Sequence, residues 1–248
     1  MTKYIENPKM KGSSLLACIP QKGECPLGCD ECFYNRIESY LQPLNENTPN
    51  MPSIPESIGR IIRVNDGHDS SVNIELVLKQ TEDYADKFYN TSILGRLEDF
   101  KDPVVLTINP GKMTDKSFYV LDPIPKNLMF VRIRVNCWNI EKVVKPAVEY
   151  YTSRKVPVVL TFLAYYETPI PSGYEDDYVF RKRTTNEYWA ITTDAWEEIM
   201  RMFKYNIFVY SCGKIEGEKG KTSCARCGNC IREFFVTQER LRTNGERI

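Results

Sequence analysis

Apolar and polar positions along the chain follow two rhythms. Nearly unbroken apolar runs occur at Leu15–Ile19, Arg60–Val64, Val104–Ile108, Leu128–Val135, Val156–Leu163 and Ile207–Tyr210. Short runs rich in β-branched residues predict strands, and continuous apolarity predicts strands buried on both faces. Between them the spacing changes to three and four. Ile74, Val77, Leu78, Thr81, Tyr84, Ala85 and Phe88 predict an amphipathic helix, with Asp69 or Ser70 as its cap. Ile140, Val143, Val144, Ala147 and Tyr151 predict another, in which Pro146 marks a kink or the true start. Trp196, Ile199, Met200 and Phe203 predict a third, opened by a capping box at Asp194–Glu197. A helical stretch is also expected from Phe33 to about Leu41, and a weak one over 112–126. Residues 1–14 are polar and irregular, and 42–57, with Pro43, Pro49, Pro52 and Pro55, predict a long loop.

Strand and helix thus alternate about six times, the pattern of a parallel sheet with crossover helices. Two stretches break it. Residues 165–192 read as an inserted hairpin, Tyr178–Lys182 and Tyr188–Ile191, and residues 212–248 read as an extension of a barrel spanning 1–211.

Charge narrows the function classes. The 248 residues carry 33 Lys and Arg against 33 Asp and Glu, so bulk nucleic-acid binding, which needs a basic surface, is not expected. The first residues lack a secretory apolar core, and the longest apolar run, Val156–Ala164, is too short to span a bilayer. The expectation is a soluble, cytoplasmic protein without a membrane partner. Nine cysteines in such a chain point to metal ligation rather than disulfides.

The densest chemistry lies after the first apolar run, at Cys25-Pro-Leu-Gly-Cys29-Asp-Glu-Cys32. A closed zinc site takes four protein ligands, and a thiolate-held cubane normally takes four cysteines. Three soft thiolates at C-x3-C-x2-C leave one position open on a cluster. The alternative from spacing alone is a zinc loop completed by Cys18. The three-cysteine motif resembles the radical S-adenosylmethionine (radical SAM) superfamily, in which it follows the first barrel strand and binds a [4Fe-4S] cluster. The resemblance implies an α/β fold, a partial (β/α)6 TIM-like barrel, here with a short C-terminal cysteine-rich metal-binding extension. It also implies reductive cleavage of S-adenosyl-L-methionine to a 5′-deoxyadenosyl radical, which abstracts hydrogen from a substrate. That substrate is unknown: a small molecule, nucleotide or peptide. An electron donor such as flavodoxin or ferredoxin is the implied partner.

Members of that family bind the cofactor at the carboxyl ends of the strands. Many carry Gly-Gly-Glu after strand two, and this chain has Asn65-Asp66-Gly67 there. Asp66 is the expected acceptor for the cofactor's ammonium, with Gly67 beside it; an ordinary turn before the next helix is the competing reading. Asn136, after the Leu128–Val135 run, is the expected ribose contact, and Asn139 the expected helix cap. Glu31 stands where many members have an aromatic, whereas Phe33 and Tyr34 follow the third cysteine. Cys137 suits either a cavity-facing thiol or a small buried hydrophobe, and His68, the only histidine, suits a surface turn.

Cys212, Cys224, Cys227 and Cys230 can close a second site. Their spacing suits a second [4Fe-4S] cluster, and a zinc ion held by four thiolates also remains open. Beyond them a final strand or helix is expected. The aromatic and basic residues of the insertion, including Tyr165, Tyr166, Trp189 and Arg181, suit either a substrate lid or an exposed hairpin. Two other functions fit the same cysteines: an activase for a glycyl-radical enzyme, and a non-enzymatic zinc-binding interaction module.

Overall fold

The computed structural model describes the chain apart from residues 1–2, 30–31, 33, 35–38, 110–118, 163, 167–168, 183–186, 215–222 and 246–248. Its strands, in chain order, are β1 (Leu15–Cys18), β2 (Ile61–Val64), β3 (Lys87–Thr91), β4 (Val104–Ile108), β5 (Leu128–Val135), β6 (Val158–Phe162), β7 (Ala164–Tyr165), β8 (Tyr178–Lys182), β9 (Glu187–Ile191) and β10 (Val209–Cys212). The order β1-β2-β3-β4-β5-β6-β10 makes one curled, all-parallel, seven-stranded sheet, a half barrel in a mixed α/β fold.

The alternation of side chains sorts the strands into two faces. Leu16, Cys18, Ile62, Val64, Leu106, Val131, Ile133, Val158 and Leu160 point to the outer face. There they meet residues of α1 (Ile74–Thr81), α2 (Lys145–Thr152) and α3 (Thr193–Met202), among them Val77, Ala147, Tyr151 and Ile199. Leu15, Ala17, Ile61, Phe88, Val105, Phe130 and Val159 point to the inner face. A parallel sheet needs both faces covered. Here the inner face is covered by α4 (Asn229–Gly245), whose Phe234 is fully buried 6.3 Å from the Phe88 ring centroid. Arg240 of α4 anchors it farther along by donating to Leu128 O at 2.6 Å.

The expected count of six strands is corrected to seven. Phe88 continues the three-and-four spacing of α1, so 74–88 reads as a single helix, but α1 stops at Thr81 and Lys87–Thr91 pairs between β2 and β4 as β3. Lys87–Thr91 is buried along its whole length, which an amphipathic helix end would not be. Three boundaries also move. Neither Asp69 nor Ser70 caps α1; its N-cap is Asn73, in the left-handed region. The cap of α3 is Thr192, whose hydroxyl accepts from Ala195 N at 3.3 Å, rather than the box at Asp194. The last strand shifts by two residues, so that Cys212 ends β10.

Other expectations meet the structure directly. Pro146 lies in the first turn of α2, as a helix start would have it, behind a π-helical stretch at Ile140–Val144. The insertion forms an antiparallel hairpin, with β7 added to give the order β7-β9-β8. The proline-rich segment holds two single-turn helices, Leu44–Asn47 and Ile54–Ser57. Residues 119–126 hold no helix, and the rest of the weak helix expected over 112–126 lies outside the described residues, as does most of the one expected over 33–41. Among the described residues no helix is long and apolar enough to cross a membrane.

If α4 supplies the inner core, Phe234→Ala should destabilise the protein by about 3–5 kcal/mol, the usual cost of truncating a buried phenylalanine. Denaturant unfolding measures it, and a loss under about 1 kcal/mol would mean that α4 is only loosely docked.

Candidate functional site

Two groups of cysteines flank the half barrel. The first lies in the loop that leaves the carboxyl end of β1. Gln21 ties this loop to the one that leaves β2, donating to Asp69 O at 3.0 Å and Val72 O at 2.9 Å. Asp69 is itself buried and fixed by Ser71 N, by the Thr91 hydroxyl, and by the amide and hydroxyl of Ser92. The expected surface histidine, His68, is half-buried against the first loop; burial lowers its pKa, although a hydrogen bond with the Glu24 backbone works the other way. Cys25 draws on backbone hydrogen bonds at Leu27 and Asp69, but burial dominates and pushes its thiol up to about 11. Cys29 and Cys32 share a turn, in which Cys32 N donates to Cys29 O at 3.3 Å. All three cysteines are partly buried.

Tyr34 locks the two loops together. It is 2% exposed, and its ring lies so close to Gly67 that an added Cβ would sit 2.2 Å from two ring carbons. Gly67 is therefore glycine because an aromatic ring occupies the side-chain position. Beside it, Asp66 Oδ2 accepts from Asn7 Nδ2 at 2.6 Å, while Asp66 Oδ1 is buried without a hydrogen-bond partner among the described residues. A buried carboxylate oxygen left bare calls for a donor. An ammonium is one cation that would satisfy that chemistry; the Arg63 guanidinium, whose charge Asp66 favours, is another nearby.

Asn136 is buried at the end of β5, and its N–H donates to Asn139 Oδ1 at 3.2 Å. Asn139 also donates to Arg134 O at 3.4 Å, so it closes this rim turn and makes no side-chain cap for the helix that follows. Cys137 is partly buried, with its N–H donating to the Tyr178 hydroxyl at 3.1 Å. Glu31 lies outside the described residues. Cys18 is fully buried in the outer-face core, its thiol in hydrogen-bond contact with Tyr84 and pushed strongly up by burial. It therefore points away from the inner side of the sheet.

The second group crosses the open seam of the half barrel. Cys224 N donates to Lys9 O at 3.1 Å, just before β1, and Asn229 Nδ2 donates to Ser211 O at 2.9 Å, in β10. One short segment thereby ties the stretch that precedes β1 to the edge strand β10. Cys212, Cys224, Cys227 and Cys230 all line a single cavity of about 30 Å³, roomier than one water needs. Cys212 and Cys227 are hydrogen-bonded through sulfur. That bond holds Cys212 well below the usual thiol range, against its burial and with help from Lys9, Arg132 and Arg63, and drives Cys227 up. Among the described residues, no three Cys, His, Asp or Glu side chains are gathered at metal-binding geometry.

Sequence reasoning missed the cations of this cavity. Arg63 and Arg132 line it together with the cysteines. Arg132 donates to Asn90 Oδ1 at 3.0 Å and approaches Thr107 Oγ1 at 3.4 Å. Burial, and then the charge of Arg63, lower its pKa. The available signal was a charged residue inside an otherwise apolar strand: Ile-Ile-Arg63-Val, and Phe-Val-Arg132-Ile.

Comparison of the chain with family models, with curated proteins and with solved structures gives no match.

Gly67→Ala should cost about 1–3 kcal/mol, as overpacking does. Adding Gly67→Ala to Tyr34→Ala should cost almost nothing more, because the ring is gone; additive losses in denaturant unfolding would refute the contact. In the folded protein Cys18 should be the slowest of the nine cysteines to alkylate, since its thiol is both sealed and protonated. Mass spectrometry after a short pulse of reagent would reveal the contrary as early labelling of Cys18.

Proposed function

We propose that the chain is a radical SAM enzyme on a partial, TIM-like barrel, acting on a small-molecule, nucleotide or peptide substrate in the cytoplasm. The observation that carries this is the bare, buried Oδ1 of Asp66, one loop away from three cysteines spaced C-x3-C-x2-C. Cys25, Cys29 and Cys32 would hold a [4Fe-4S] cluster, and Asp66, Gly67 and Asn136 would hold S-adenosyl-L-methionine. When bound, the cluster and cofactor supply one-electron cleavage chemistry that ends in hydrogen abstraction from the substrate.

The chain's own residues do the positioning. Asp66 Oδ1 would accept from the cofactor's ammonium, and Asn7 orients the carboxylate by holding Oδ2. Tyr34 and Gly67 keep the cysteine loop pressed against the loop that carries Asp66, excluding water between them. Asn136 offers its side chain to the ribose from the neighbouring half of the rim. A zinc loop completed by Cys18 is disfavoured, because that thiol is buried on the opposite face of β1.

The proposal extends to the tail. Cys212, Cys224, Cys227 and Cys230 form a metal-binding extension, taking either a second [4Fe-4S] cluster or zinc. Four cysteine side chains around one cavity suit such an ion. Electrons would come from a flavodoxin or ferredoxin.

Anaerobic purification with iron, sulfide and zinc counted per chain tests the metal content. With reductant and S-adenosyl-L-methionine, the protein should release 5′-deoxyadenosine. Cys29→Ala should abolish that release while leaving the tail metal in place. Loss of both metals together would contradict two independent sites, and a single zinc at Cys25–Cys32 would end the enzymatic proposal.

A further inference from the structure

Two guanidiniums lie on the inner face of the sheet, beside the apolar Ala17, Phe88 and Val159 and the neutral Asn90 and Thr107 of neighbouring strands. Arg63, from β2, and Arg132, from β5, are only partly accessible, and both line the cavity of the four tail cysteines. Among the described residues neither forms an ion pair with a carboxylate. Among the described residues Arg63 Nε is buried without a hydrogen-bond partner, and Arg132 reaches the neutral side chains of Asn90 and Thr107 and lies over the Phe130 ring, 5.6 Å from its centroid. The guanidinium group keeps its charge at any physiological pH. The carboxylate of Asp66 favours both charges against the cost of burial, but two enclosed guanidiniums then face a single carboxylate, and buried charges are normally paired. Lys9, the third cation of the cavity, is exposed and needs no such partner.

We infer that Arg63 and Arg132 are built-in counter-charges for a dianionic metal–tetrathiolate held by Cys212, Cys224, Cys227 and Cys230. The charges balance. Four thiolates around a divalent zinc ion carry a net charge of minus two, and so do four thiolates around an oxidised [4Fe-4S] core of charge plus two. Metal entry releases the remaining thiol protons to solvent and leaves minus two against the two guanidiniums. The inference is therefore the same for either metal, and metal analysis separates them. It rests on the tail half of the proposed function and is independent of S-adenosyl-L-methionine.

The test uses the full chain carrying Cys29→Ala, so that metal bound by the first loop does not enter the count. Metal per chain is measured before and during challenge with a strong chelator, for this parent and for the same chain with Arg63→Gln or Arg63→Lys. The parent should hold its tail metal. Arg63→Gln should lose it about tenfold faster or more, as removal of groups supporting a metal site does. Arg63→Lys, which keeps the charge, should recover most of the retention. Thermal unfolding supplies a second readout: Arg63→Gln should cost more stability in the metal-loaded protein than in the metal-free one, because the charge it removes faces the metal–tetrathiolate; an equal cost in both would overturn the inference. Equal retention in Arg63→Gln and parent overturns the inference and leaves the guanidiniums to an anionic substrate. Equal loss in Arg63→Lys and Arg63→Gln also overturns it, since charge would then be irrelevant. A parent without tail metal sinks the tail site itself, a result distinct from the other two.

Discussion

An open parallel sheet has a geometric debt: its concave side is apolar, and its two edge strands lack partners. Everything else in this molecule answers that constraint. Helices α1, α2 and α3 all lie on the outer face, so only the tail is left to fill the inner one. Phe234 does so from α4, and the segment from Cys224 to Asn229 reaches the stretch before β1 and the edge strand β10 at once, through Lys9 and Ser211. The cysteines of the tail therefore stand where the fold needs closing. A metal there would add a covalent-strength tie at the weakest line of the barrel.

The rim is organised by a second, smaller constraint. The loops after β1 and β2 are irregular, and irregular backbone is held only by specific partners. Asp69, Gln21 and the Tyr34–Gly67 contact supply them. Together they keep the bare oxygen of Asp66 buried close to the three-cysteine loop. Local polarity here is arranged rather than left over, because Asn7 already satisfies the other carboxylate oxygen.

The sequence displayed some of this and hid the rest for identifiable reasons. All six apolar runs became sheet strands, within two residues of the expected positions, because continuous apolarity is what a two-sided strand requires. β3 was hidden: Phe88 falls in phase with the helix before it, and only pairing with β2 and β4 shows that the period changes at Lys87. Pro146 announced the start of α2, because proline is tolerated only there. Cysteine spacing showed two groups of ligand-type residues, but not that the second folds back over the inner face. That placement depends on contacts between segments far apart in the chain, such as Arg240 with Leu128. The same distance hid Arg63 and Arg132. Each is visible as a charge inside a strand, yet their meeting at one cavity follows from sheet curvature, which no local pattern encodes.

The strap between Lys9 and Cys224 joins nearly opposite ends of the chain. Closing so long a loop costs more chain entropy than pairing neighbouring strands does. A crosslink placed at this strap would therefore remove more freedom from the unfolded chain than one between adjacent strands.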